Sequence, residues 1–396
     1  MHNASLNSRP VVLTFTRWYL PGYKAGGPVR TMSNMVDRLG GELDFRIVTQ
    51  DRDMSDQAAY PGIDMADWNS LGHSRVRYLS RQHITLRSLA RIICEVAPDV
   101  LYLNSFFDPL FTQRVLLLRR LGKIADVPVV LAPRGEFSEG ALALKKMKKD
   151  IYLRMARWLG VYDGLTWQAS SDLEKQDILR RLPQIDSSRV KLALNIPTPN
   201  AVIDGSAGNW KPGGQFKVCF LSRVSPMKNL DFALTCLRDV KAHVMLTIYG
   251  PIEDLKYWEQ CEAQIADLPT NVQVNYVGEL AHQEVAHALS QHGLFFLPTR
   301  GENYGHVIQE ALTAGLPVLI SDQTPWRDLE QHCVGWALPL GDPSAFAKII
   351  DTVASWSAEM TEAARARAKA YAQNKASDMD VVHANLELFR LVQAKR

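Results

Sequence analysis

The sequence predicts an α/β protein built as two parallel-sheet domains, on three observations. The chain has 396 residues, enough for two or three domains at roughly 100–200 residues each. Short β-branched or aromatic runs alternate with helical patterns from end to end, the pattern of parallel strands covered by helices on both faces. One stretch, 195–214 (NIPTPNAVIDGSAGNWKPGG), breaks the alternation; rich in Pro, Gly, Asn and Ser and without hydrophobic period, it reads as a linker.

In the first half, strands are expected at 11–17, 43–49, 75–79, 99–104, 127–132, 164–169 and 189–194. Between them run helical stretches such as Val29, Met32, Val36 and Leu39, spaced by three and four. After the linker, strands are expected at 216–222, 244–249, 272–277, 294–298 and 317–321. Helices are expected at 228–240, 254–266, 283–291 and 304–314. The last fifty residues read as two or three helices. The expected organisation is a Rossmann-like domain over 1–195, a linker over 196–214 and a second Rossmann-like domain over 215–375. A helix over 376–396 is expected to pack back toward the first domain. In such sheets ligands bind outside the carboxyl ends of the strands, and two facing domains enclose a cleft.

Composition narrows the class. With 46% hydrophobic and 22% charged residues, neither a disordered chain nor a collagen-like fibre fits. The net charge of +3 hides a split. Residues 1–200 hold 28 Lys+Arg against 20 Asp+Glu, and residues 201–396 hold 17 against 22. The basic half points to an anionic partner. Five widely spaced cysteines without a CxxC or Cys/His cluster argue against a disulfide scaffold or structural zinc and fit a reducing compartment. The N-terminus runs straight into the strand-like Val11-Val12-Leu13-Thr14-Phe15, unlike a signal-peptide core. No uncharged apolar run reaches the roughly 18–20 residues that cross a bilayer. The expectation is a cytoplasmic protein, at most peripheral on the inner face of the cytoplasmic membrane.

The densest chemistry lies in the second half. At Phe220-Leu221-Ser222-Arg223-Val224-Ser225-Pro226-Met227-Lys228-Asn229 a strand ends, a short turn follows and a helix opens. Free N–H groups and the partial positive charge of a helix N-terminus suit an anion, and Arg223 and Lys228 add two full charges; a diphosphate fits. The second element, Pro298 to Leu312, repeats the arrangement with Glu302 at the turn and Glu310 along the helix. Eight residues of helical rise at about 1.5 Å each span roughly 12 Å, about the separation of a sugar ring from a ribose across a diphosphate. Amides around Asn303, Tyr304, Gly305 and His306 would meet the phosphates between them. Each of these residues alone is a common surface cation, cap or helix carboxylate; the combination is what points to a donor site.

Arg223 and Lys228, followed by Glu302-x7-Glu310 inside PTRGENYGHVIQEALTAGLPVLIS, resemble the family 4 retaining glycosyltransferases of the GT-B fold, specifically a bacterial surface-polysaccharide subgroup. Gly250-Pro251, Val277-Gly278-Glu279-Leu280 and Ser321-Asp322-Gln323-Thr324-Pro325-Trp326 fall in family order. The resemblance implies that Arg223 and Lys228 bind the donor diphosphate. It implies that Glu302 contacts the transferred sugar, that Glu310 binds the ribose hydroxyls, and that backbone near Glu279 and Leu280 meets the base, with Gly250 beside them.

In the first half, Leu20 to Arg30 form a glycine-rich turn between the first strand and first helix, where Gly26 and Gly27 let backbone N–H groups approach a phosphate. This is where the family places the loop that closes on the donor phosphates and acceptor. Ala132-Pro133-Arg134-Gly135-Glu136-Phe137 follows the fifth strand. Many relatives carry a histidine there; Arg134 stays protonated at neutral pH, so its expected role is binding charge on phosphate or acceptor. The next helix lines up Leu144, Met147, Ile151, Met155 and Trp158 on one stripe, with Lys145, Lys146, Lys148, Lys149, Arg154 and Arg157 around it. Such a helix suits an anionic membrane surface or a lipid-diphosphate acceptor, with Lys145, Lys146 and Lys149 as expected acceptor ligands; it equally suits a helix whose stripe packs on the sheet. Asp51-Arg52-Asp53 has the form of a metal-binding DxD, but it lies in an acidic loop without a second ligand cluster, so no metal is expected.

The combined expectation is transfer of a sugar from a nucleotide diphosphate sugar to a hydroxyl of a lipid-linked acceptor, without cofactor or nucleic acid and, as the resemblance implies, with retention. An epimerase of the same fold, or a non-catalytic nucleotide-sugar binder, are the competing readings. A dinucleotide dehydrogenase is disfavoured because neither half shows GxGxxG after its first strand.

Overall fold

A computed structural model describes residues 9–138, 142, 146–198 and 214–393; of Lys146, His282 and residues 391–393 only the backbone is described. Most of the expected linker (199–213), and the expected acceptor ligand Lys145, lie outside the described residues. The chain divides into two compact units, Met1–Ile196 with Asp378–Arg396, and Pro197–Ser377.

The first unit holds eight strands: β1 (Val11–Phe15), β2 (Asp44–Gln50), β3 (Asn69–Leu71), β4 (Ser74–Leu79), β5 (Val100–Asn104), β6 (Val129–Ala132), β7 (Thr166–Ala169) and β8 (Val190–Leu192). They pair in the order β3-β4-β2-β1-β5-β6-β7-β8. All neighbours are parallel except β3, which turns back on β4 through Gly72 and His73. β3 is the strand that periodicity missed: three polar-flanked residues at a sheet edge carry no alternation to read. β1 and β5 are buried almost throughout, the mark of a sheet covered on both faces.

Among the described residues the helices between these strands are α1 (Gly27–Leu39), α2 (Leu86–Val96), α3 (Thr112–Arg120), α4 (Lys146–Trp158) and α5 (Asp172–Arg181). The capping hydroxyls of Thr85 and Ser171 satisfy the first free amides of α2 and α5, each contributing about 1 kcal/mol. The C-terminal helix Met379–Gln393 also belongs here. Its Phe389 meets Tyr102 and Phe45 edge-on at 5.2 and 6.2 Å, and Arg390 pairs with Glu42 at 2.8 Å.

The second unit is a six-stranded parallel sheet of β9 (Phe216–Leu221), β10 (Val244–Tyr249), β11 (Val272–Gly278), β12 (Leu294–Leu297), β13 (Val318–Ser321) and β14 (Gly335–Leu338). The order is β11-β10-β9-β12-β13-β14. Strand order therefore reverses between β9 and β12, which fixes where a ligand crevice opens. β14 was not legible in sequence; it is four residues on an edge, the last three partly exposed. Seven helices follow in chain order through both units' ends: α6 (Leu230–Leu237), α7 (Leu255–Ala266), α8 (His282–Ser290), α9 (His306–Thr313), α10 (Pro343–Ala354), α11 (Ala358–Ala376) and α12, the C-terminal Met379–Gln393 already described. Cys219, Cys236 and Cys261 are buried as small core hydrophobes, while Cys94 and Cys333 are exposed.

Candidate active site

The second unit gathers the expected donor residues at the carboxyl ends of its strands. Arg223 and Lys228 follow β9, Gly250 follows β10, Glu279 and Leu280 follow β11, and Glu302 to Gly305 follow β12. β9 and β12 are the neighbours at the reversal point. Their two loops are stitched together by backbone and side-chain bonds. Arg300 N–H and the Thr299 hydroxyl donate to the Met227 carbonyl at 2.9 and 3.1 Å. The Asn229 amide donates to the Pro298 carbonyl at 2.8 Å and accepts from Arg300 Nε at 2.8 Å. Asn229 is buried and left-handed (φ 64°) at the head of α6, a conformation asparagine tolerates better than most residues. Sequence reading passed over it, although an Asn directly before a helix is a signal for such a position.

This stitching brings Lys228 Nζ against a Glu302 carboxylate oxygen in a direct ion pair, both side chains 13% exposed. Arg223 instead pairs with Glu253 at 2.7 Å, at the surface. Glu253 reaches it because Val224 and Ile252 form a parallel bridge beyond the ends of β9 and β10. Glycine is required between them. A Cβ on Gly250 (φ 127°) would lie 2.1 Å from the Ser222 carbonyl oxygen, and Gly250 N–H donates to the Gly278 carbonyl at 2.7 Å. Both expected phosphate cations thus stand opposite carboxylates.

The helical-rise estimate between Glu302 and Glu310 is corrected by the fold. α9 begins only at His306, after Gly305 in a left-handed conformation (φ 82°), so Glu302 and Asn303 lie on the turn and only Glu310 on the helix. A Cβ at Gly305 would meet Ile308 Cδ1 at 2.7 Å. The side chain of Tyr304 is built into an aromatic nest. Its ring lies 5.6 Å from Trp326 and 4.7 Å from His306, its hydroxyl donates to Gln309 at 3.1 Å, and burial raises its pKa. Its carbonyl accepts from the Trp326 indole N–H.

In the first unit, Gly26 and Gly27 are exposed where α1 starts, Gly26 left-handed (φ 67°). Asp53 holds this loop: its carboxylate accepts from the backbone N–H groups of Tyr23 (2.7 Å), Lys24 (3.0 Å) and Met54 (2.7 Å). The DxD look-alike is therefore a loop anchor, with Asp51 paired to Arg52 at 2.8 Å.

Arg134 is bonded within the first unit. It is left-handed (φ 58°), which costs about 1–2 kcal/mol, and its guanidinium faces inward. Nε and one terminal nitrogen donate to Asn104 at 3.0 and 2.8 Å, the other donates to Asn195 at 2.6 Å, and Tyr102 O–H takes a further bond. The Tyr102 O–H donates to Gln168 Oε1, and Gln168 reaches Asn385 of α12 at 3.1 Å; burial pushes Tyr102 up to about 12. Four donor contacts to internal oxygens make Arg134 a strut of the first unit. Lys149 also turns inward, 5.0 Å over the Phe107 ring. Near it Glu136 accepts from Phe106 N–H, Phe107 N–H and the Ser105 hydroxyl at 2.6–2.9 Å, and burial raises the pKa of its carboxyl.

Two units, each a largely parallel sheet covered by helices, match the GT-B fold of solved structures. Residues 206–375 match the family described as glycosyl transferases group 1. A GDP-mannose-dependent alpha-mannosyltransferase of Mycobacterium tuberculosis (strain CDC 1551 / Oshkosh) is 34% identical over 147 residues, 36% of each chain. The amylovoran biosynthesis glycosyltransferase AmsK of Erwinia amylovora is 27% identical over 146 residues, 34% of this chain and 35% of that one. The matched segment thus spans about a third of these curated relatives. Among solved structures, Anabaena Alr3699/HepE in complex with UDP and glucose superposes with a TM-score of 0.68 at 17% identity, covering 98% of this chain and 100% of that one. WaaG, a glycosyltransferase involved in lipopolysaccharide biosynthesis, superposes at 0.65 with 13% identity, covering 96% and 99%.

Proposed function

We propose that the protein is a retaining glycosyltransferase of family 4 that moves a hexosyl group from a nucleotide diphosphate sugar to a hydroxyl of a lipid-linked acceptor in surface-polysaccharide synthesis. The observation that carries this reading is the Lys228–Glu302 pair at the reversal point between β9 and β12, with Arg223 on the same loop as Lys228. The names of the matched relatives, a GDP-mannose-dependent mannosyltransferase and an amylovoran biosynthesis glycosyltransferase, support the chemistry.

In this reading the diphosphate draws Lys228 and Arg223 away from their carboxylates. The two cations then stabilise the charge that grows on the leaving diphosphate, so no metal is called for. Glu302, released from Lys228, stabilises cationic character at the anomeric carbon. The C1–O bond to the diphosphate breaks, the acceptor oxygen bonds to C1 on the same face, and the acceptor proton passes to the departing phosphate. Glu310 holds the ribose hydroxyls.

A panel of UDP-, GDP- and ADP-sugars, scored for thermal stabilisation and for turnover with and without a hydroxyl acceptor in the presence of EDTA, tests the reading. One nucleotide sugar should stabilise the protein, and transfer should persist in EDTA with the anomeric configuration kept. Stabilisation by none of them defeats the donor site. Interconversion of the donor sugar without acceptor would establish the epimerase instead.

A further inference from the structure

Helix α4 (Lys146–Trp158) presents an apolar face outward. Its inner face is formed by Leu153 (7% exposed) and Ala156 (3%), with Tyr152 and Lys149 beside them. On the opposite face Met147, Ile151, Met155 and Trp158 are 76, 49, 55 and 85% exposed. At about 100° per residue these four fall within an arc of about 80°, one continuous ridge along the helix. Arg120 Nε donates to the Leu159 carbonyl at 2.6 Å, which brings the end of α3, with Leu117 and Leu121 exposed, beside the end of the ridge.

The charges fit the ridge to one kind of partner. The helix carries Lys146, Lys148, Lys149, Arg154 and Arg157 against a single carboxylate, Asp150. By the same helical angles Arg154 borders the ridge on one side and Lys148 on the other, and both are exposed. Long cationic side chains flanking an apolar strip reach headgroup phosphates while their stems stay with the apolar layer. Trp158, at the end of the strip, prefers the boundary between acyl chains and headgroups. Thirteen residues rise only about 20 Å, short of the roughly 30 Å hydrocarbon core, and no described helix is long and apolar enough to cross a membrane. The helix therefore suits lying in the plane of an interface.

We infer that this ridge seats the first unit on an anionic lipid bilayer, with Met147, Ile151, Met155 and Trp158 in the boundary layer and Lys148 and Arg154 at lipid phosphates. The inference concerns where the protein sits and stands apart from the sugar transfer, although a lipid-linked acceptor would be met at the same surface.

Co-sedimentation of the full chain with vesicles of phosphatidylcholine, with and without phosphatidylglycerol, tests it. Binding should require phosphatidylglycerol and weaken with salt. Met147→Ser/Ile151→Ser/Met155→Ser/Trp158→Ser should lower partition at least tenfold. Lys148→Gln/Arg154→Gln should lower it about fivefold per cation. Neither variant should change thermal stability or nucleotide-sugar binding, so loss of vesicle binding is separable from loss of the donor site. Vesicle binding that ignores phosphatidylglycerol or survives both variants overturns the inference. So does a dimer in sedimentation velocity that the serine variant dissolves while vesicle binding is absent.

Discussion

Arg134 in the first unit and Lys228 in the second both follow the carboxyl end of a parallel strand, and in sequence both read as cations waiting for an anion. Their surroundings make them opposites. Lys228 meets one carboxylate, Glu302, in a direct ion pair. Arg134 meets neutral amide oxygens of Asn104 and Asn195 and the Tyr102 hydroxyl, fixed within one unit. A cation held by a carboxylate can change partners for a more highly charged anion; one held by several buried neutral acceptors has no such exchange and instead rigidifies its surroundings.

The largest effect that tests this contrast is on transfer. Lys228→Ala should lower kcat/KM by about 10²–10³-fold, the scale of removing one preorganised charge stabiliser, with the fold kept by circular dichroism. Arg134→Met should act on stability instead. Leaving Asn104, Asn195 and Tyr102 without their donor should cost about 2–4 kcal/mol in urea unfolding, while thermal stabilisation by nucleotide sugar persists. If Arg134→Met abolished donor or acceptor binding without loss of stability, the strut assignment would fail.

The two units should also part on acidification. His292 in the second unit is buried, with Nδ1 2.8 Å from the Ala288 carbonyl, and burial pushes it down to about 4. Its folded pKa lies below the unfolded value of about 6.5, so the unfolded chain binds more protons between those values. Stability from this group is full above about pH 6.5 and falls by up to about 3 kcal/mol as pH drops through 4. Burial raises Glu136 and Asp108 in the first unit, so their contribution runs the other way, greatest when they are protonated at low pH. Scanning calorimetry from pH 7 to 4 should show the second unit's transition falling faster, and His292→Gln should flatten that fall.

The smallest effect concerns Arg223. Its pair with Glu253 lies at the surface, where such pairs contribute about 0–1 kcal/mol. Glu253→Gln should therefore tighten nucleotide-sugar binding by no more than about fivefold, an effect erased by added salt. A loss of affinity instead would mean that Glu253 itself holds donor.

Much of this was legible beforehand. Strands such as Phe216–Leu221 and Val244–Tyr249 were legible to within a residue or two, because a strand buried on both faces is apolar whatever its neighbours are. Lys228 and Glu302 were legible because each stands at a strand-to-helix turn. The short edge strands Asn69–Leu71 and Gly335–Leu338 were not, since half-exposed residues leave no pattern.

What the sequence determined by itself is the alternation of strands and helices and the turns on which cations and carboxylates stand, because those depend on neighbours a few residues away. Only the tertiary structure decided that Lys228 faces Glu302 across 74 residues, that Arg134 is filled by Asn104 and Asn195, and that the ridge Met147 to Trp158 points outward while Leu153 and Ala156 face the core. Each is a choice of partner, and partners distant along the chain are selected by sheet order and packing, which no local period encodes.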